Sequence, residues 1–228
     1  MDTEPIPIVQ LPLFVYGESV TNIIELFPTV WKAAENLTSP VSVTRQRGLD
    51  ALLELGAHKV SPLVAYMIAT CVNDPDIYIR RRIVFVLADL ITSDSNGKHP
   101  SEEVRKVVSN YLHNMNEATV FSLIEVAVAD QQTEKSIYNL FNVCPYVGRY
   151  LGDILTQWKN PLLIRQKAIY FIGLVGYLEA LPVLERLFNR LEARQNGQFV
   201  MSFAPPSIKS DDYLLPYLRI AINQLSAR

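Results

Sequence analysis

The residues whose types could do chemistry are few and scattered. His58, His99 and His113 show no HxxxH or HExxH spacing, the pattern that turns two imidazoles toward one metal. Each reads as a lone surface or cap histidine, and no metal site is expected. Cys71 and Cys144 stand 73 positions apart, form no CxxC and lie among apolar residues. They read as buried, inert thiols. The acidic pairs Glu102/Glu103 and Asp211/Asp212 fall at expected helix starts, where the helix dipole favours negative charge. Capping explains them better than acid–base catalysis. No GxSxG, P-loop or GxGxxG occurs, so no catalytic residue and no cofactor is expected. Gly148, Gly152, Gly173 and Gly176 read as close helix contacts or helix ends instead.

Two stretches are candidates for binding. Arg80-Arg81-Arg82 is the one basic triplet. The triplet either meets an anion or phosphate of a partner, or leaves Arg81 and Arg82 solvated. The stretch 194–210 is long for a connection between helices. It holds Phe199, Met201 and Phe203 between Arg194 and Lys209. Those three aromatic and thioether side chains either meet a partner or fold back to cover the last helices.

Composition bounds the class. The chain has 228 residues, 49% hydrophobic and 19% charged, with a formal net charge of −2 and a mean hydropathy of +0.13. It is too apolar to be disordered. It lacks the excess of positive charge that nucleic acid requires, so none is expected as a partner. The strongest apolar runs, Leu63 to Val72 and Ala168 to Leu178, fall short of the roughly 18 residues that span a bilayer. The start Met1-Asp2-Thr3-Glu4 is acidic, and Pro5, Pro7 and Pro12 interrupt any secretory core, which implies a cytoplasmic chain. Charge is uneven. Residues 1–35 carry five acids and one base, and 161–228 carry eight bases and five acids. Such asymmetry could orient a partner or promote self-association.

These residues must be positioned by helices. Residues 1–16, rich in proline, predict an extended arm. From Ser19 the apolar spacing is helical, with Pro28 expected to kink or split the segment. A helix over Ser42 to Leu55 should end at Gly56. A partner follows from about Lys59 to Val72, with Pro62 in its first turn. Asp74 reads as an N-cap with Pro75 at the first helical position. That helix runs to Leu90. Further helices are predicted from Pro100 to His113, from an Asn116 cap to Ala129, from a Thr133 cap to Asn142, and from Pro145 to Trp158. Asn160-Pro161 repeats the Asp74-Pro75 device before a helix that ends at Gly176. The last segments run from Leu178 to Leu191 and from Asp212 to Leu225.

The segments repeat. Ser39-Pro40 leads to Arg45, Leu49, Leu52, Leu55-Gly56, Val60 and Pro62. Asp74-Pro75 leads to Arg80, Val84, Leu87 and Leu90. Asn160-Pro161 leads to Arg165, Ala168, Ile172, Val175-Gly176, Ala180 and Pro182. Pro40 and Pro75 are 35 apart, and Pro75 and Pro161 are 86 apart, two periods of 43. This pattern resembles the HEAT repeat family over roughly 40–225, most closely from Asn160 to Leu191. Residues 116–158 match by helical period alone and hold one extra helix.

The resemblance implies an all-α fold, a right-handed α-α superhelix of about four to five helical hairpins. It implies one domain: an arm and cap over 1–36, repeats over 37–193, an inserted loop over 194–210 and a capping helix over 211–228. It assigns Arg45, Arg80 and Arg165 to the family's structural arginine position, with Asp153 or Asp89 as acidic neighbours for Arg165. Asp74, Pro75 and Pro161 mark repeat starts. Families of this kind are mostly scaffolds, so the function expected is non-catalytic protein binding through second helices such as 59–72 and 178–191. HEAT-like bilin lyases are the alternative. HEAT-like DNA glycosylases fit less well, for want of a basic groove.

Overall fold

Helix periodicity, capping residues and two glycines set the local structure. A computed structural model describes residues 20–92, 100–196 and 209–227. The arm expected over 1–16, His99, and Phe199, Met201 and Phe203 lie outside those residues. The fold is all-α, with twelve α-helices and no strand among the described residues. The helices are α1 (Val20–Leu37), α2 (Ser42–Glu54), α3 (Ala57–Val60), α4 (Pro62–Thr70), α5 (Ile77–Ile91) and α6 (Glu102–His113). They continue as α7 (Glu117–Ala129), α8 (Glu134–Phe141), α9 (Val147–Thr156), α10 (Leu162–Val175), α11 (Leu181–Gln195) and α12 (Leu215–Ser226). None of them is long and apolar enough to cross a membrane.

The chain divides into two compact units. One gathers the described residues of Met1–Cys71 and Asp89–Tyr111; the other gathers those of Val72–Ala88 and Leu112–Arg228.

In the first unit α1 lies along α2. The approach is close because Gly48 has no side chain: a Cβ there would sit 2.6 Å from the Ala33 carbonyl oxygen. Leu49 and Leu52 fill the seam and are fully buried. Each such burial contributes about 1.5–3 kcal/mol. Pro28 does not split α1, which runs unbroken through it. Phe27, Pro28 and Thr29 are exposed, so the proline ring stands on the solvent side of the helix. Gly56 ends α2 in the left-handed region, φ 64°, as its place after Leu55 predicts. The helix expected from Lys59 to Val72 is broken at Ser61. There the backbone turns extended, and Ser61 Oγ accepts the Val64 N–H at 3.3 Å, with Pro62 opening α4. Ser101 caps α6 by accepting the Val104 N–H at 3.3 Å and is tied to the Lys59 carbonyl through its own N–H, 3.1 Å.

In the second unit α10 is the central helix, packed by α7, α8, α9 and α12. Phe171 of α10 meets Phe141 of α8 edge to face, centroids 5.1 Å apart, and both are fully buried. Three of the four glycines above are contacts or ends. Gly148 lies against the Tyr177 ring and Gly173 against Ala221 and Gln224. Gly176 ends α10 at φ 81°. Gly152 has nothing near its missing Cβ. Residues 116–158 hold three helices, α7, α8 and α9, so the extra helix is real.

Several caps shift from their predicted places. Asp76, not Asp74, caps α5: its carboxylate accepts the Tyr78 N–H at 2.9 Å and its carbonyl the Arg80 N–H. Asp74 instead accepts the Asp76 N–H at 2.8 Å. Pro75 therefore lies in the preceding turn rather than at the first helical position. Asn160 donates backward to the Ile154 carbonyl at 2.8 Å, and Pro161 occupies the cap position of α10. The Thr133 hydroxyl donates to the Asp130 carbonyl rather than capping α8. Asn116 caps α7 as predicted, accepting the Thr119 N–H at 2.9 Å. In each shifted case a short polar side chain takes a backbone partner outside the helix it was expected to cap.

Candidate binding grooves

The three arginines expected at a repeat position, Arg45, Arg80 and Arg165, each link parts of the fold in their own way. Arg45 donates to the carbonyls of Ser39 and Pro40, both at 3.0 Å, and so closes the turn before α2. Arg80 reaches from α5 to α7, 2.5 Å from Glu125 and 3.4 Å from the Ser122 carbonyl. Arg165 donates to the Leu155 carbonyl at 2.9 Å and pairs with Asp211 at 2.5 Å. Its partner is thus Asp211, not Asp153 or Asp89. Asp153 faces Arg149 instead. Asp211 and Asp212 do not start the last helix. They lie in the 3-10 turn Lys209–Leu214 before it, and Asp212 pairs with Arg194. Arg81 is part-exposed and pairs with Asp130 at 2.5 Å. Arg82, beside it, is half-buried.

Around the Arg165–Asp211 pair opens a groove of about 460 Å³. The end of α9 and the turn after it supply Leu155, Thr156 and Trp158 as one wall. Val183, Arg186, Leu187 and Arg190 of α11 form the other. Arg186 and Arg190 are four apart, so they stand one turn apart on one face. Arg186 Nε donates to the Pro182 carbonyl at 3.1 Å. Arg190 Nε is buried and has no hydrogen-bond partner among the described residues. Trp158 is 53% exposed at the lip, with the Lys159 ammonium 5.7 Å from its ring centroid.

The first unit has its own groove, of about 360 Å³. Val30, Trp31, Ala34 and Thr38 of α1 and its end face Leu63, Val64 and Met67 of α4. Trp31 is 63% exposed and stacks on Phe27, centroids 6.2 Å apart.

A third hollow, about 410 Å³, holds a closed polar set. Glu134 of α8 accepts from Lys167 of α10 at 2.5 Å, and the Lys167 ammonium lies 5.3 Å from the Tyr170 ring. Burial, then a hydrogen bond to Glu134, holds the Tyr170 hydroxyl above its ordinary range. A tyrosine held neutral is a poor base, and the set ties α8 to α10.

The remaining chemistry-bearing residues sit apart. His58 is buried, not a surface group, and burial pushes its imidazole below 6.5. His113 is exposed. Cys144 is buried, and burial raises its thiol. The Cys71 thiol is half-buried and donates to the Met67 carbonyl at 3.4 Å. Among the described residues no three His, Cys, Asp or Glu side chains converge to hold a metal. Neither Trp31, Trp158 nor the Arg186/Arg190 pair was singled out by motif. The available signal was arginine at 186, 190 and 194, a spacing of four along one helix face.

Compared with family models, curated proteins and solved structures, the chain matches none of them.

Proposed function

We propose that this chain is a HEAT-like, non-catalytic scaffold that binds protein through the second helices of its hairpins. One observation carries the reading. Both tryptophans of the chain stand exposed at the lip of a groove whose other wall is a second helix, α4 beside Trp31 and α11 beside Trp158. A large ring left in water beside an open apolar groove is costly unless something covers it. Tryptophan and arginine are also the residues that most often anchor protein interfaces.

Three local features support the HEAT-like reading. Gly56 and Gly176 both end a first helix in the left-handed conformation. Pro62 and Pro182 both stand in the first turn of the second. Arg80 and Arg165 both tie a first helix to another element.

Affinity capture with the whole chain and with Trp31→Ala and Trp158→Ala tests the proposal. The whole chain retains a defined protein that at least one variant loses at unchanged thermal stability. Capture by both variants equal to that of the parent would overturn it.

A further inference from the structure

We propose that the Trp158 groove selects an acidic, partly apolar peptide segment of its partner. The inference rests on the scaffold reading and names the chemistry of what one groove takes. The lining holds three arginines and one aspartate. Asp211 is already committed to Arg165. Arg186 and Arg190 form no ion pair among the described residues, so their two charges face the groove uncompensated. A carboxylate is the strongest match for a guanidinium fork, and Arg186 and Arg190 both line the groove.

The spacing suits a peptide. Residues four apart on a helix rise about 6 Å. Alternate residues of an extended strand lie about 6.6 Å apart. Two acidic side chains in alternation would therefore meet Arg186 and Arg190 in turn. The residue between them points to the opposite wall, which is Leu155 and Trp158. A nucleic acid strand fits less well. It needs a longer row of cations to follow its phosphates, and here apolar Leu155, Val183 and Leu187 separate them. The chain's own stretch 197–208 contains no acidic residue and cannot supply the carboxylates.

The test is fluorescence anisotropy with the full chain. The probe is a short fluorescein-labelled peptide of alternating leucine and aspartate. A peptide of alternating leucine and lysine and a poly-uridylate RNA serve as comparators. The acidic peptide binds at least tenfold more tightly than the basic one, and binding weakens as salt rises. Arg186→Gln and Arg190→Gln each weaken it about tenfold. Arg190→Lys weakens it too, since a point charge does not replace the guanidinium fork. Arg149→Gln removes a charge elsewhere in the same unit and leaves binding unchanged.

Equal binding of the acidic and basic peptides would overturn the inference. So would parental affinity in both glutamine variants, displacement of the acidic peptide by the RNA, or a second copy of the chain holding the groove. These failures differ from failure of the scaffold reading. In the latter, the Trp31→Ala and Trp158→Ala chains capture protein as the parent does. If the charge selection alone is wrong, capture remains tryptophan-dependent while the arginine variants bind normally.

Discussion

Arg165 and Asp211, 46 positions apart in the chain, meet at 2.5 Å with side chains only 4% and 3% exposed. Arg165 also holds the Leu155 carbonyl. One guanidinium therefore joins α10 to the end of α9 and to the turn before α12, and forms part of the groove lining.

Breaking this pair leaves a buried charge alone. Asp211→Ala should cost about 3–5 kcal/mol. The double variant Arg165→Met/Asp211→Leu should recover most of that loss, because packed apolar groups of similar volume replace a buried ion pair with little penalty. Urea unfolding of the parent, the single variant and the double variant measures both. A single variant as stable as the parent would refute the account.

Gly176, just past the end of α10, and Gly152, inside α9, should respond in opposite directions. Gly176→Ala forces a side chain into φ 81° and should lose about 1–2 kcal/mol. Gly152 lies inside α9 with open space at its Cβ. Gly152→Ala should gain about 0.5–1 kcal/mol by cutting the entropy of the unfolded chain. Paired thermal melts give the signs directly.

His58 makes stability depend on pH. Burial lowers its folded pKa first, and Lys59 lowers it further, against a backbone hydrogen bond at Leu52 and the charge of Asp89. Below the ordinary 6.5 the unfolded chain binds a proton that the folded chain resists. The contribution of His58 is therefore fully present above about 6.5 and is lost as pH falls from there through the folded pKa. A His58→Gln chain should show a flatter stability curve between pH 6.5 and 5 in matched urea titrations. An unchanged slope would remove His58 as the cause.

Glu134 helps hold the Tyr170 hydroxyl neutral, after burial. Glu134→Gln should move its ionisation down toward 10, though not all the way, since the burial remains. The difference between parent and variant in an ultraviolet absorbance titration reports it. The same change should loosen α8 from α10, since Lys167 loses its carboxylate.

The helices were legible because their signals are local. Asn116 at the start of α7, Gly56 after α2 and Gly176 after α10 act on backbone within a turn or two, and each stands where the spacing placed it. The shifted caps mark the limit of that logic. Asp74 and Asp76 are equally good capping residues, and only the path of the turn chose Asp76. The site was less legible. Trp31 and Trp158 are ordinary hydrophobic residues in a helix or just after one, and nothing near them says they stay exposed.

The sequence by itself determined that this is an all-helical fold with helices ending at Gly56 and Gly176, because helix period, glycine conformation and proline geometry are properties of neighbouring residues. Only the tertiary structure decided that Arg165 belongs to Asp211, that Arg81 belongs to Asp130, and that Arg186 and Arg190 face a groove beside Trp158. Those outcomes depend on which surfaces meet across tens of residues. Charge and ring chemistry name the groups that can interact, but burial, set by packing, decides which of them do.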